Sequence, residues 1–303
     1  MNIVFFANGR FSIPSLESLI NSKHKILRVV TNNDKKGGRG NKLISTPVAE
    51  YCIKNNIQLT REDNIEDKNF IKKLHDINAD IYIVISYKIL PEQIFSIPKH
   101  GAINIHASVL PEYKGAAPIQ RSIINGDNYI GLTAFKINSR IDSGEIINQL
   151  KININDSDNY GKIHDLLSIK SGDFLYKSLE LLNKNKSYSY NIKTSSYAMK
   201  INKEEFKISL NENALNIHNL FRGLTPPGPH LLLNNKKVKL FDTYYSNINS
   251  HLIVGEWNVK DNILNIGCEK GILLAKFIQF EGKNKISIKD FNNMNLNKKN
   301  YFK

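Results

Sequence analysis

Asn104 and His106 stand two residues apart in Asn-Ile-His-Ala-Ser-Val-Leu-Pro, residues 104 to 111, with Ile103 and Ile105 at the intervening positions. Read as a strand, this alternation puts a side-chain amide and an imidazole on one face and the isoleucines on the other. An amide that donates hydrogen bonds, beside a ring that titrates near neutrality, can hold a polar ligand and exchange a proton with it. Burying the two without partners costs free energy. The fold therefore either satisfies them locally or places them at a strand end, where open α/β sheets bind ligands. Taken singly, each residue also reads as structural, an Asn bonding backbone and a His satisfied in the core. Asp142, in Ile-Asp-Ser-Gly-Glu at 141 to 145, reads singly as a turn residue.

The elements that must position these groups follow from the apolar pattern. β-Branched runs at 2–7, 25–31 and 80–86 alternate with helical patterns around 14–22, 46–55 and 66–76, which is the order of βαβ units and a mostly parallel sheet covered on both faces. Pro14, Pro47 and Pro118 fit the first turns of helices, with Ser12 and Thr46 as caps of the first two. Strands are then expected at 101–106, 130–138 and 145–152, and an amphipathic helix at 159–183. The polar stretch Asn183 to Ser196 reads as a linker, and after a helix near 212–222 the short alternating strands of 229–288 read as a small barrel. The Lys-rich and Asn-rich tail after Asp290 is expected to fray. The expected fold is α/β, a mostly parallel Rossmann-like sheet followed by a C-terminal small β-barrel of OB-like type. Its divisions are an N-terminal domain at 1–188, a linker at 189–205 and a barrel at 206–303.

A chain of 303 residues that is 41% hydrophobic can bury two cores of this kind. The net charge of +14 invites a polyanionic partner through counterion release, although a chain so rich in Lys, Asn and Ile also reflects what an AT-rich genome encodes. Position must decide between these. The apolar start, Met1 to Ala7, is too short for a secretion signal, and no apolar run reaches the roughly 18 residues that span a bilayer. Cys52 and Cys268 lie far apart with no metal-ligand spacing, so neither a metal nor a membrane is expected, and a reducing cytoplasm fits. The first strand runs into Ala7-Asn8-Gly9-Arg10 rather than Gly-x-Gly-x-x-Gly. Residues 37–42 lack both the spacing of a phosphate loop and the Ser or Thr after its lysine, which argues against NAD and ATP. The connection from Asn32 to Ser45 is long and basic, carrying Lys35, Lys36, Arg39 and Lys42, and loops of such length are usually functional or disordered.

Beyond the pair, Gly115-Ala-Ala-Pro-Ile-Gln-Arg121, Asn125-Gly-Asp127, Gly131-Leu-Thr133 and Asp142-Ser-Gly144 follow in order. This succession resembles the formyltransferases that use 10-formyltetrahydrofolate, whose pattern is Asn-x-His-x-Ser-x-Leu-Pro followed by a distant Asp before a Ser/Thr-Gly step. With Gly38-Arg-Gly-x-Lys-Leu43, Ser196-Tyr-Ala-x-Lys200, Lys203-Glu204 and Arg222, nearly the whole chain is similar to the branch of that family acting on methionyl-tRNA. The resemblance implies formyl transfer from the folate to the α-amine of methionine on initiator tRNA. A monomer is expected, because a wide basic face must stay free for tRNA and no long apolar edge is evident. It implies Asn104 as donor to the formyl oxygen, His106 as oxyanion partner or proton relay, and Asp142 as the group that holds His106 and a water. It implies a folate-contacting segment at Ser108, Val109, Leu110 and Pro111, with apolar Ile85 to Pro91 nearby, and acceptor-stem contacts from Arg39 and Lys42.

Departures from the pattern are local. Val109 replaces a leucine, Asn41 replaces a second basic-loop lysine, Ser86 to Pro91 is one residue shorter than usual, and Pro226-Pro227-Gly228 lacks a tryptophan. Two alternatives share the scaffold: a formyltransferase of amino sugar nucleotides with the same Asn, His and Asp, and a non-catalytic RNA-binding relative. Gly115 to Gln120 and the basic loop favour tRNA, and the intact catalytic set argues against the inactive form.

Overall fold

The computed structural model describes residues 1–38, 40–184, 196–248, 251–294 and 301–303. In chain order its elements are β1 (Asn2–Ala7), α1 (Ile13–Ile20), β2 (Lys25–Thr31), β3 (Lys35–Gly37), β4 (Lys42–Ile44), α2 (Pro47–Lys54), β5 (Leu59–Arg61), α3 (Lys68–Ile77), β6 (Ile81–Ile85) and α4 (Glu92–Phe95). There follow β7 (Ala102–His106), β8 (Lys114–Gly115), α5 (Pro118–Asn125), β9 (Tyr129–Lys136), β10 (Ile146–Asn153), α6 (Tyr160–Asn183), β11 (Tyr197–Ala198) and α7 (Ala214–Gly223). The last are β12 (Leu231–Leu233), β13 (Lys236–Ser246), β14 (Trp257–Lys260), β15 (Ile263–Gly267), β16 (Ile272–Phe280), β17 (Ile286–Ser287) and α8 (Ile288–Asn292). The chain forms two compact units: residues 1–115, 131–152 and 164–197 in the first, and 116–130, 153–163 and 198–303 in the second.

The first unit is built on a seven-stranded sheet of order β10-β9-β7-β6-β1-β2-β5. β1, β2, β5, β6 and β7 run parallel, and β9 returns antiparallel to β7. Parallel strands covered on both faces must be apolar throughout, and β6, Ile-Tyr-Ile-Val-Ile, is buried at every position. On one face Val4, Phe6, Val30, Tyr82, Val84 and Ala102 pack with Phe70 and Leu74 of α3 and Ile94 of α4. α6 meets α1 through small residues, because Ser15 and Ser171 share a hydroxyl contact of 2.7 Å and a Cβ at Gly172 would come within 2.9 Å of the Pro14 carbonyl. The Thr46 hydroxyl caps α2 by accepting from the Ala49 N–H, as expected. Ser12 occupies the cap position of α1, but its hydroxyl donates to the Gly9 carbonyl and caps nothing.

Strand order branches at β1, with β2 on one side and β6 on the other. In such sheets the crevice beyond the carboxyl ends of the strands is where ligands bind. Those ends here are Ala7, Ile85 and His106. The basic connection at 32–45, read in the sequence as an unstructured loop, is instead an antiparallel hairpin, with Lys35 opposite Ile44 and Gly37 opposite Lys42. The linker expected at 189–205 lies outside the described residues as far as residue 195.

The second unit is a six-stranded antiparallel half-barrel of order β12-β13-β16-β15-β14, with β17 beside β16. Its core gathers Leu240, Leu264, Ile266, Leu273 and Ile278 from the strands, Ile217 and Phe221 from α7, and Trp257. Arg222 is buried, donating to Asn219 Oδ1 at 2.9 Å and to the carbonyls of Asn155 and Asp158. Burial pulls its pKa down while Asp156 and Asp158 push it back. Arg121 forks onto Glu205 at 2.6 and 2.9 Å, which ties α5 to the turn at 204–206.

The expected fraying of the tail is overturned among the described residues. Residues 288–292 form α8, and Phe302 is 3% exposed, its N–H bonded to the Gly255 carbonyl and its ring against Trp257. A polar composition hid one aromatic anchor. Phe302→Ala is expected to destabilise the second unit by about 3 kcal/mol or more, read from urea unfolding, whereas a loss below about 1 kcal/mol would restore the frayed tail.

Candidate active site

β7 carries Asn104 and His106 on the face expected from the sequence, with Ile103 and Ile105 buried on the other. The antiparallel register sets Asn104 opposite Phe135 and His106 opposite Thr133 of β9. Asn104 sits in the wall of a cleft of about 200 Å³ whose lining also includes Ile89, Leu90, Phe95, Phe135 and Asp142. Among the described residues its amide makes no side-chain hydrogen bond. It is thus a donor left open to an apolar recess.

His106 is held differently. Its Nε2 lies 2.8 Å from the Tyr113 carbonyl, an oxygen that only accepts, so Nε2 carries the hydrogen and Nδ1 is the basic nitrogen of the neutral ring. Nδ1 faces Asp142 Oδ2 at 3.6 Å, and both side chains are largely shielded, 7% and 12% exposed. That spacing is long for a hydrogen bond to a neutral ring and short for an attraction to a protonated one. A proton arriving at Nδ1 finds its counter-charge in place.

Asp142 is fixed by two devices. Its Oδ2 accepts the Gly115 N–H at 2.7 Å, and its backbone takes a left-handed conformation with φ of 45°, which Asp tolerates better than most residues. The turn is closed by Lys136 N–H to the Glu145 carbonyl at 2.9 Å, and it admits no side chain at Gly144, where a Cβ would lie 1.5 Å from the Lys136 carbonyl oxygen. Beneath it Lys114, 2% exposed, donates to the Ser143 hydroxyl at 3.0 Å. Burial lowers the Lys114 pKa and the Asp142 carboxylate raises it again.

The models of the formyl transferase family and of its C-terminal domain match residues 1–177 and 200–296 of this chain. The chain belongs to the formyltransferase family. The methionyl-tRNA formyltransferase of Thermodesulfovibrio yellowstonii is 37% identical over 95% of this chain and 94% of its own. That of Syntrophomonas wolfei is 36% identical over 96% and 95%. Relatives this similar over the full length set the chain among the methionyl-tRNA formyltransferases. The fold is shared with a solved sugar N-formyltransferase, WlaRD, crystallised in the presence of dTDP and 5-N-formyl-THF (TM-score 0.66, 19% identity, 94% of this chain and 99% of that one). It is shared also with an N-formyltransferase from Helicobacter canadensis in complex with folinic acid and dTDP-3-aminofucose (TM-score 0.62, 22% identity, 90% and 98%).

Of the residues expected from the sequence, Asn104, His106 and Asp142 come together at one end of the formyltransferase sheet. Ser108, Val109, Leu110 and Pro111 follow His106 directly but do not line the cleft; the apolar stretch before α4 does, through Lys88 to Pro91. The 108–111 segment is clamped from β9 and β10. Thr133 Oγ1 donates to the Ser108 carbonyl and receives the Leu110 N–H, while Gln149 donates to the Leu110 carbonyl at 2.8 Å. Lys42 is exposed on the β3–β4 hairpin, and Arg39 lies outside the described residues. Lys114, Thr133 and Gln149 were not singled out in the sequence as supports. Only the register of β9 against β7 reveals the second of them. Among the described residues no group of three or more His, Cys, Asp or Glu is placed to hold a metal ion, and no helix is long and apolar enough to cross a membrane.

The Gly144 contact yields a test that needs no substrate. Gly144→Ala is expected to lower stability by about 2–4 kcal/mol, because backbone must move. Gly9→Ala, whose Cβ meets only Ser86 at 3.4 Å, is expected to stay within about 0.5 kcal/mol of wild type in the same thermal melts. Equal melting of the two variants would show that the turn is not rigid.

Proposed function

We propose that this chain transfers a formyl group from 10-formyltetrahydrofolate to the α-amino group of methionine esterified to initiator tRNA, as a monomer in the cytoplasm. The observation that carries the reading is the meeting of three groups: Asn104 and Asp142 in the lining of one cleft and His106 3.6 Å from Asp142, with His106 and Asp142 held by backbone and Asn104 left open. A recess walled by Ile89, Leu90, Pro91 and Phe95 suits a flat, half-polar pterin ring, and Asn104 in its wall suits the formyl oxygen. The folate supplies the formyl carbon as an activated amide. As the amine attacks that carbon, charge grows on the oxygen, and the Asn104 amide N–H donates to it. His106 Nδ1 accepts the proton that the amine loses, and as the bond from the formyl carbon to the folate nitrogen breaks, that proton passes to the departing nitrogen and leaves tetrahydrofolate. Asp142, 3.6 Å away, stabilises the imidazolium and is held in position by the Gly115 N–H. The 108–111 segment supports the folate from beside the strand end, held in place by Thr133 and Gln149.

Arg39 and Lys42 contact the acceptor stem, and the half-barrel unit contributes further binding to the RNA. An exposed Lys42, with Leu43 and Ile44 beside it on β4 68% and 50% exposed, gives the hairpin both charge and exposed apolar surface.

Asn104→Ala, His106→Ala and Asp142→Asn are each expected to lower kcat by about 100-fold or more, the scale of losing an oxyanion donor or a proton acceptor. The assay follows radiolabelled formyl from the folate to methionyl initiator tRNA, with a 4-amino-4-deoxysugar nucleotide as the competing acceptor. Transfer to the sugar and none to tRNA would overturn the reading. Lys42→Ala is expected to weaken tRNA binding and to reduce the slope of log affinity against log salt by about one; an unchanged slope would remove the hairpin from the interface.

A further inference from the structure

The half-barrel unit holds a second concave surface that formyl transfer does not use. A basin of about 410 Å³ is lined by Phe206, His230, Lys237, Lys239, Phe280 and Glu281, among others. Lys237 and Lys239, two apart on β13, stand on one face, and the Lys239 ammonium is anchored by donating to the Pro227 carbonyl at 2.6 Å. His230 is pinned by its backbone, its N–H to the Phe206 carbonyl at 2.7 Å and its carbonyl to the Ile208 N–H at 3.0 Å. Among the described residues neither nitrogen of its ring is hydrogen-bonded, and neither Lys237 nor Lys239 reaches a carboxylate within 4 Å.

The charges in this basin are therefore unbalanced. Burial depresses the His230 pKa, Lys237, Lys239 and Lys207 depress it further, and only Glu281 works in the other direction. Gathering two lysines and a histidine around the single carboxylate of Glu281 leaves an excess of positive character that an arriving anion offsets. The same basin exposes the sides of two half-buried rings, Phe206 and Phe280. Cations for a phosphate beside aromatic faces for a base are the elements by which proteins hold single nucleotides of RNA.

We propose that this basin is a nucleotide-binding site: Lys237, Lys239 and His230 hold one phosphate of the RNA substrate, and Phe206 and Phe280 receive the adjoining base. The proposal rests on the reading that the chain acts on a tRNA. It adds a defined contact point within the unit, carried by residues that the sequence patterns did not mark.

The test uses the full-length chain. Affinity for uncharged initiator tRNA is measured by fluorescence anisotropy across a potassium chloride series for wild type, Lys237→Ala, His230→Gln and the double variant. Lys260→Ala, on β14 and not among the basin's lining residues, serves as the control. Lys237 is exposed, so its alanine variant leaves the core untouched, which thermal melting checks. The double variant is expected to bind tRNA about tenfold more weakly, to show a salt slope smaller by about one, and to lose formylation through KM rather than kcat. Adenosine monophosphate added to wild type is expected to shift the His230 ring resonances. Unchanged affinity and slope in the double variant, or an equal loss in Lys260→Ala, would overturn the basin. Wild-type binding that depends on the basin without any formyl transfer to methionyl-tRNA would instead sink the catalytic reading and leave the basin standing.

Discussion

The hydrogen bond from the Gly115 N–H to Asp142 Oδ2 is the contact on which the site depends. It joins the segment after β7 to the turn between β9 and β10, two stretches that Lys114 also ties together through the Ser143 hydroxyl. Tyr113, two residues before Gly115, supplies the carbonyl that orients His106, so one backbone run positions both partners of the imidazole. Lys114 lies between them, buried under the same turn. Three consecutive residues therefore set the ring's tautomer, the turn's electrostatics and the carboxylate's position.

A charged group in such a place is costly to bury alone, and the local arrangement offsets that cost through paired partners rather than exposure. The Asp142 carboxylate favours the charged state of Lys114. The left-handed backbone at Asp142 and the absence of a side chain at Gly144 then leave the carboxylate one available direction. Rigidity here comes from backbone geometry, while Asn104 is left unconstrained toward the cleft. The site is stiff around His106 and Asp142 and open at Asn104.

Much of this was legible in the sequence. Alternation at 102–106 placed Asn104 and His106 on one face, and β-branched runs located β1, β2, β6 and β7 closely, because buried parallel strands leave little freedom in composition. Other features depended on pairing that no local pattern carries. Thr133 and Gln149 act only through the register of β9 and β10, and Lys114 reads as one more surface lysine until the fold covers it. The 32–45 segment looked like a loop because its strands are three residues each, too short for alternation to show. Phe302 was lost in a tail whose polar neighbours dominate any averaged reading. The placement of the segment expected to contact folate shows the same limit, since Ser108 to Pro111 adjoin His106 in sequence while most of the cleft wall is drawn from 88–92 and 135–142.

Buried Arg222 takes its acceptors from Asn155 and Asp158, residues far earlier in the chain than the half-barrel they help to hold. A recombination event that exchanged everything after residue 200 for another C-terminal module would leave those carbonyls behind, together with the α5 helix. The incoming module would then have to match inherited residues at 116–130 and 153–163. Modular shuffling of this architecture is thus restricted to donors already fitted to the retained segments.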